Sequence, residues 1–89
     1  MRQIIQTSQF KRDLKKVSSS GRYKKHDLLA VIELLANDET LPDKYCDHNL
    51  INDWEDCREC HIKPDWLLIY KKYEDVLQLL RTGSHSTLF

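Results

Sequence analysis

Four histidines and three cysteines are the side chains of this sequence best able to do acid–base, nucleophilic or metal chemistry. Cys57-Arg58-Glu59-Cys60-His61, with Cys46 and His48 upstream, supplies enough thiolates and imidazoles for a zinc site. The spacing works against that use. Cys57 and Cys60 fall on a segment with strand character, where positions i and i+3 point to opposite faces. The stretch has neither Gly nor Pro to turn the chain, and no helix start of the kind that lowers a redox thiol's pKa. The thiols therefore read as packing groups, and no metal or other cofactor is expected. The last third is more suggestive. His61 precedes Lys63-Pro64-Asp65-Trp66, and Arg81 and His85 follow an apolar run. If 66–73 and 76–82 pair as a hairpin, Trp66 and Arg81 lie near its open end, and Asp65 and His85 flank it. A His, an Asp, an Arg and a second His on one small area suit proton transfer at a phosphodiester. Imidazoles titrate near neutrality, and a guanidinium binds phosphate oxygens in a fixed fork. Ordinary surface histidines are the competing reading, and spacing alone leaves both open.

These residues need elements to position them. Arg2 to Thr7, with Ile4 and Ile5, reads as a first strand. Ser8 can cap a helix over 8–19 whose stripe is Phe10, Leu14 and Val17. Ser18-Ser19-Ser20-Gly21 ends it, and a second helix runs over 23–37 with Leu28, Val31, Ile32 and Leu35 on its packed side. Residues 38–53 are polar, contain Pro42 and read mainly as loop. Residues 54–62 suit a half-exposed strand that Pro64 interrupts. Trp66-Leu67-Leu68-Ile69-Tyr70 is apolar on both sides of the pleat, the mark of a central strand covered on both faces. Lys72-Tyr73-Glu74-Asp75 turns the chain into a partner strand over 76–82. The order β-α-α-β-β-β predicts an α+β domain over 1–89, with an N-terminal helical pair on one face of an antiparallel sheet.

Composition bounds the class. At 89 residues there is room for one core, and 40% hydrophobic with 31% charged residues is a globular balance. No apolar run approaches the length of a membrane span, and the N-terminus has no export signal, so a cytoplasmic protein is expected. Net charge is zero, but unevenly distributed. Residues 1–25 carry eight bases against the single acid Asp13, and residues 26–60 carry ten acids against two bases. The basic segment could dock a polyanion locally, or be a solvated helix face.

Tyr45-Cys46-Asp47-His48-Asn49-Leu50, the run from Arg58 to Tyr70, and Arg81 to Phe89 at the end of the sequence resemble the YafQ branch of the RelE toxin superfamily. The two C-terminal motifs, H-x-x-P-D-W and R-T-G-S-H-S-x-L-F, are specific together. The resemblance implies the RelE-like microbial ribonuclease fold. It implies an endoribonuclease toxin that cleaves mRNA on the ribosome without metal, by attack of a 2′-hydroxyl on the adjacent phosphate. His48, His61, Asp65, Arg81 and His85 match the catalytic positions. His85 is implied as general acid, Arg81 as charge stabiliser, His61 or Asp65 as base, and His48 as phosphate holder. Lys63, Trp66 and Phe89 are implied as RNA contacts. The implied partners are mRNA, the ribosome and a ribbon-helix-helix antitoxin in a heterotetramer, with DNA met only through that complex and no membrane. A RelE-fold binding or regulatory toxin without turnover is the alternative.

Overall fold

The double-sided apolar run at 66–70 becomes the middle strand of the sheet. The computed structural model describes residues 1–21, 23–50 and 56–89. In chain order they form β1 (Gln3–Gln6), α1 (Ser8–Ser19), α2 (Lys25–Ala36), a 3-10 turn (Asp43–Tyr45), β2 (His48–Asn49), β3 (Arg58–Lys63), β4 (Trp66–Tyr73), β5 (Val76–Gly83) and α3 (His85–Leu88). The sheet order is β1-β5-β4-β3-β2. The fold is the expected α+β class, with α1 lying over β5 and α2 over β3.

Alternation along β4 divides the interior in two. Trp66, Leu68 and Tyr70 face the helices and join Phe10, Val17, Leu28, Val31, Ile32, Leu35, Leu77 and Leu79 in the main core. Leu67 and Ile69 face the other way, into a smaller cluster with Cys57 and Leu88. That second cluster is closed by α3, a short C-terminal helix that periodicity did not announce. Gly83 makes the turn into it with φ +154, a conformation that favours glycine, and Ser84 caps it by accepting from the Thr87 N–H.

Three expectations change in detail. β1 pairs β5 in parallel, so the sheet is antiparallel throughout except at this edge. The hairpin leaves one side of β5 open, and β1 fills it running in the same direction. Thr7, not Ser8, is the cap of α1, its hydroxyl accepting from the Phe10 N–H at 3.0 Å. The polar stretch before 53 contains the two-residue strand β2, pinned to β3. Of the strand expected over 54–62, positions 54 and 55 lie outside the described residues, and Arg58–Lys63 is strand.

Candidate active site

β2 and β3 bring the first histidines together. Cys46 has left-handed backbone (φ 49), which turns the chain into β2. Asp47 then anchors it: Arg58 donates to both carboxylate oxygens, at 3.2 and 3.0 Å, and the buried Tyr70 hydroxyl donates to the same group. Burial, reinforced by that carboxylate, pushes the Tyr70 phenol well above its usual range, so it stays a donor. His48, next along, lies opposite Glu59 in the β2–β3 register. Its Nδ1 is 2.7 Å from the Cys46 carbonyl oxygen, which only accepts, so Nδ1 carries a hydrogen. Neutral His48 therefore has its lone pair on Nε2. Glu59 is 4% exposed, and its Oε1 lies 3.2 Å from Nε2 of His61 and 3.9 Å from Nε2 of His48. A carboxylate accepts from His61 Nε2–H, which leaves the lone pair of neutral His61 on Nδ1. The two rings are 6.4 Å apart.

Across β4 stands a second group. The registers place Glu59, Ile69 and Arg81 in one row across β3, β4 and β5, and His61, Leu67 and Gly83 in the next. The flanks are thus two strand spacings apart, on the order of 10 Å. A bulge at Leu80, where β5 carries an extra residue between the partners of Ile69 and Tyr70, re-aims Arg81. The guanidinium meets Asp13 of α1, with Nε to Oδ2 2.7 Å and Nη2 to Oδ1 3.2 Å. Burial pushes the Asp13 carboxyl upward, but hydrogen bonds from Arg81, Gln9 and the Thr82 N–H, with the Arg81 charge, outweigh it and hold the group below its ordinary value. His85 opens α3 and its ring lies 5.3 Å from that of Phe89, which is 52% exposed.

Of the residues singled out in the sequence, His48 and His61 meet through Glu59, Arg81 meets Asp13, and His85 meets Phe89. Asp65 is exposed in the β3–β4 turn, where its carbonyl accepts from the Tyr23 hydroxyl at 3.0 Å. Among the described residues its carboxylate bonds none of the histidines. Lys63 is exposed and pairs with Asp27 at 3.5 Å. Beside His61, a cavity of about 540 Å³ opens between α2, the 3-10 turn and β3, bordered by Lys44, Tyr45 and Lys63. Trp66 corrects its expected role. It is fully buried, stacks on Tyr23 at 4.8 Å and donates through Nε1 to Thr82 Oγ1 at 2.9 Å, so no nucleotide reaches it. Cys57 and Cys60 serve the two different clusters, and burial pushes the Cys60 thiol up to about 12.

Sequence reasoning missed Glu59, Asp13 and Asp47. Two of them carried a signal. Asp13 lies three residues after Phe10 and four before Val17, inside the apolar stripe of α1, and Glu59 alternates with His61 on one strand face.

Over residues 2–89 the sequence matches the family described as bacterial toxin of type II toxin–antitoxin system, YafQ. It is 38% identical over 90 residues to the mRNA interferase toxin YafQ of Escherichia coli (strain B / BL21-DE3), covering 99% of this chain and 96% of the relative. The crystal structure of a metal-bound toxin from Helicobacter pylori superposes with a TM-score of 0.90 at 41% identity, covering all of both chains. The crystal structure of the E. coli DinJ–YafQ complex gives 0.88 at 37% identity, covering 100% of this chain and 99% of that one.

Proposed function

The chain belongs to the YafQ family of bacterial type II toxin–antitoxin toxins, and from that premise we infer that it is an mRNA interferase, an endoribonuclease toxin. The observation that carries the chemistry is the pair of flanks across β4: imidazoles His48 and His61 beside a buried Glu59 on one side, and Arg81 on the other, with His85 four residues on at the start of α3. A phosphodiester lying between them meets a base, a cation and an acid.

The reaction is transesterification. His61, whose neutral lone pair is on Nδ1, takes the proton of the 2′-hydroxyl, and the oxygen attacks the adjacent phosphorus. His85 protonates the departing 5′-oxygen, leaving a 2′,3′-cyclic phosphate. Arg81 stabilises the charge gathered on the non-bridging oxygens. The doubly protonated form of His48 donates Nε2–H to the phosphate, and the exposed Phe89 ring stacks on a base. Asp65, one turn from His61, orders the substrate or the base from solvent, and Lys63 steers the RNA backbone. No metal takes part in these steps.

The partner is an antitoxin, as in the E. coli complex, of the ribbon-helix-helix type in a heterotetramer. The basic α1 face (Lys11, Arg12, Lys15, Lys16) is the contact for its acidic tail, and that complex weakens as salt rises. Among the described residues no helix is long and apolar enough to cross a membrane. The proposed site of action is the cytoplasm, on mRNA at the ribosome.

The test is direct. Purified protein cuts RNA in the presence of a chelator, and the upstream fragments carry 2′,3′-cyclic phosphate ends. Growth arrest by the wild type with no such ends in any message favours the binding toxin without turnover. Cleavage abolished by the chelator and restored by metal sinks the metal-free mechanism.

A further inference from the structure

Asp13 is the only acid in the first 25 residues, and it is buried on the packed stripe of α1. Burying a carboxylate is costly unless it is paired and hydrogen-bonded. Here four donors converge on it: Arg81 Nε and Nη2, the Thr82 N–H at 3.2 Å and Gln9 Nε2 at 3.2 Å. Part of this is structural. β1 pairs β5 only as far as Leu79, so the Thr82 N–H has no strand partner on that side, and Asp13 Oδ2 takes its place. A neutral amide oxygen could do that much.

The remainder requires the charge. The Asp13 side chain is 8% exposed and that of Arg81 25%, so the acid is the closed partner and the arginine the more open one. Asp13 occupies the Nε–Nη2 edge of the fork. The opposite edge, Nη1 with the second Nη2 hydrogen, has no hydrogen-bond partner among the described residues and suits another two-oxygen acceptor. A long arginine on an uncovered sheet edge otherwise samples many rotamers.

We propose that Asp13 is a positioning residue for Arg81, fixing the guanidinium so that its outer edge meets the non-bridging oxygens of the scissile phosphate. This rests on the reading of Arg81 as the charge stabiliser. The cost of losing Asp13 is thus paid in turnover through Arg81 and not in substrate binding elsewhere.

A double-mutant cycle on the full chain tests it, with kcat and KM measured on a short RNA well below every variant's Tm. Asp13→Asn keeps the acceptor for Thr82. It is expected to lower kcat about tenfold with KM changed less than about twofold, the scale of a misaligned group. In the Arg81→Ala background the same change is expected to cost less than about twofold. Asp13→Glu keeps the charge on a longer arm and recovers part of the loss. Millimolar guanidinium added to Arg81→Ala restores cleavage several-fold where Asp13 is present to seat it, and little in the double variant. An equal loss in both backgrounds, or equal rescue, overturns the positioning role and leaves Arg81 intact. Arg81→Ala cleaving like the wild type overturns the reading of Arg81 itself.

Discussion

Two buried carboxylates flank β4 and do opposite things. Asp13 holds a guanidinium, whose charge is permanent, in a two-pronged ion pair. Glu59 lies against imidazoles, which can take or give a proton, one by a hydrogen bond and the other only within ion-pair range. Glu59 begins the row Glu59–Ile69–Arg81 and Asp13 meets its far end, and both acids are less than a tenth exposed. The same device, a buried acid beside a cation-capable side chain, therefore sets a fixed charge on one flank and the proposed imidazole base on the other, with the proposed acid His85 following Arg81 on the first flank. The cleavage proposed above uses both kinds, and the sheet sets them on the order of 10 Å apart, room for a phosphodiester between them.

The largest expected effect tests that division of labour. His85→Ala is expected to lower cleavage by on the order of 10²–10⁴-fold, the span of a positioned proton donor. Arg81→Ala is expected to cost on the order of 10²–10³-fold by removing a transition-state charge contact. A substrate with a bridging sulfur at the 5′ position needs little protonation of its leaving group. On it the His85→Ala defect shrinks and the Arg81→Ala defect persists. If both defects keep their size, proton transfer and charge stabilisation are not divided as described.

Next in size are the aiming residues. Glu59→Gln keeps an oxygen that can accept from His61 but loses the charge and the shared contact to His48. It is expected to lower kcat on the order of tenfold. Arg81→Lys keeps the charge on the other flank but loses the fork, so Asp13 and a phosphate can no longer be bound on two edges at once. A lysine that cleaves as well as arginine would show that point charge alone suffices there.

How much of this was legible beforehand follows from what each signal depends on. The strands and helices that bury a face were readable because burial leaves a period: Leu28, Val31, Ile32 and Leu35 at helical spacing, and 66–70 apolar on both faces. The separation of Cys57 from Cys60 followed from strand alternation alone. His48 beside His61 was not readable from spacing, because it depends on a two-residue strand whose hold is the Asp47–Arg58–Tyr70 network between distant segments. Trp66 was misassigned because a motif position says nothing of burial, and its indole finds an internal acceptor in Thr82. The parallel β1 and the α3 lid are set by tertiary pairing and by one left-handed glycine, which leave no periodic trace.

Acid sensitivity separates the flanks on a smaller scale. The folded state holds the Asp13 carboxyl below its unfolded value, so its contribution is full above the unfolded pKa and is lost as pH falls through the folded one. Asp13→Asn is expected to lower stability at pH 7 by about 1.5–3 kcal/mol, the range for hydrogen bonds to a charged group. The gap to wild type should narrow as the pH of urea unfolding is brought below that range. A gap that stays constant down to pH 2 would show that the carboxylate's charge contributes nothing to the fold.

The smallest expected effect asks whether the flanks are independent. Among the described residues Asp13 and Glu59 share no partner, and the row between them passes through Ile69, which is fully buried against Leu67, Cys57 and Leu88. Sites more than about 7–10 Å apart without common contacts add to within about 0.5 kcal/mol. The urea-unfolding free energies of Asp13→Asn and Glu59→Gln are therefore expected to sum to that of the double variant within this margin. Their kcat effects are not held to that rule, because groups that meet one transition state act as a unit. Stability is the clean readout, since it involves no substrate. Coupling well above 0.5 kcal/mol would mean that β4 transmits strain from one flank to the other, through the bulge at Leu80 or through the packing of Ile69. The Arg81 flank and the Glu59 flank would then be two ends of one element, and a change on either would have to be judged by its effect on both.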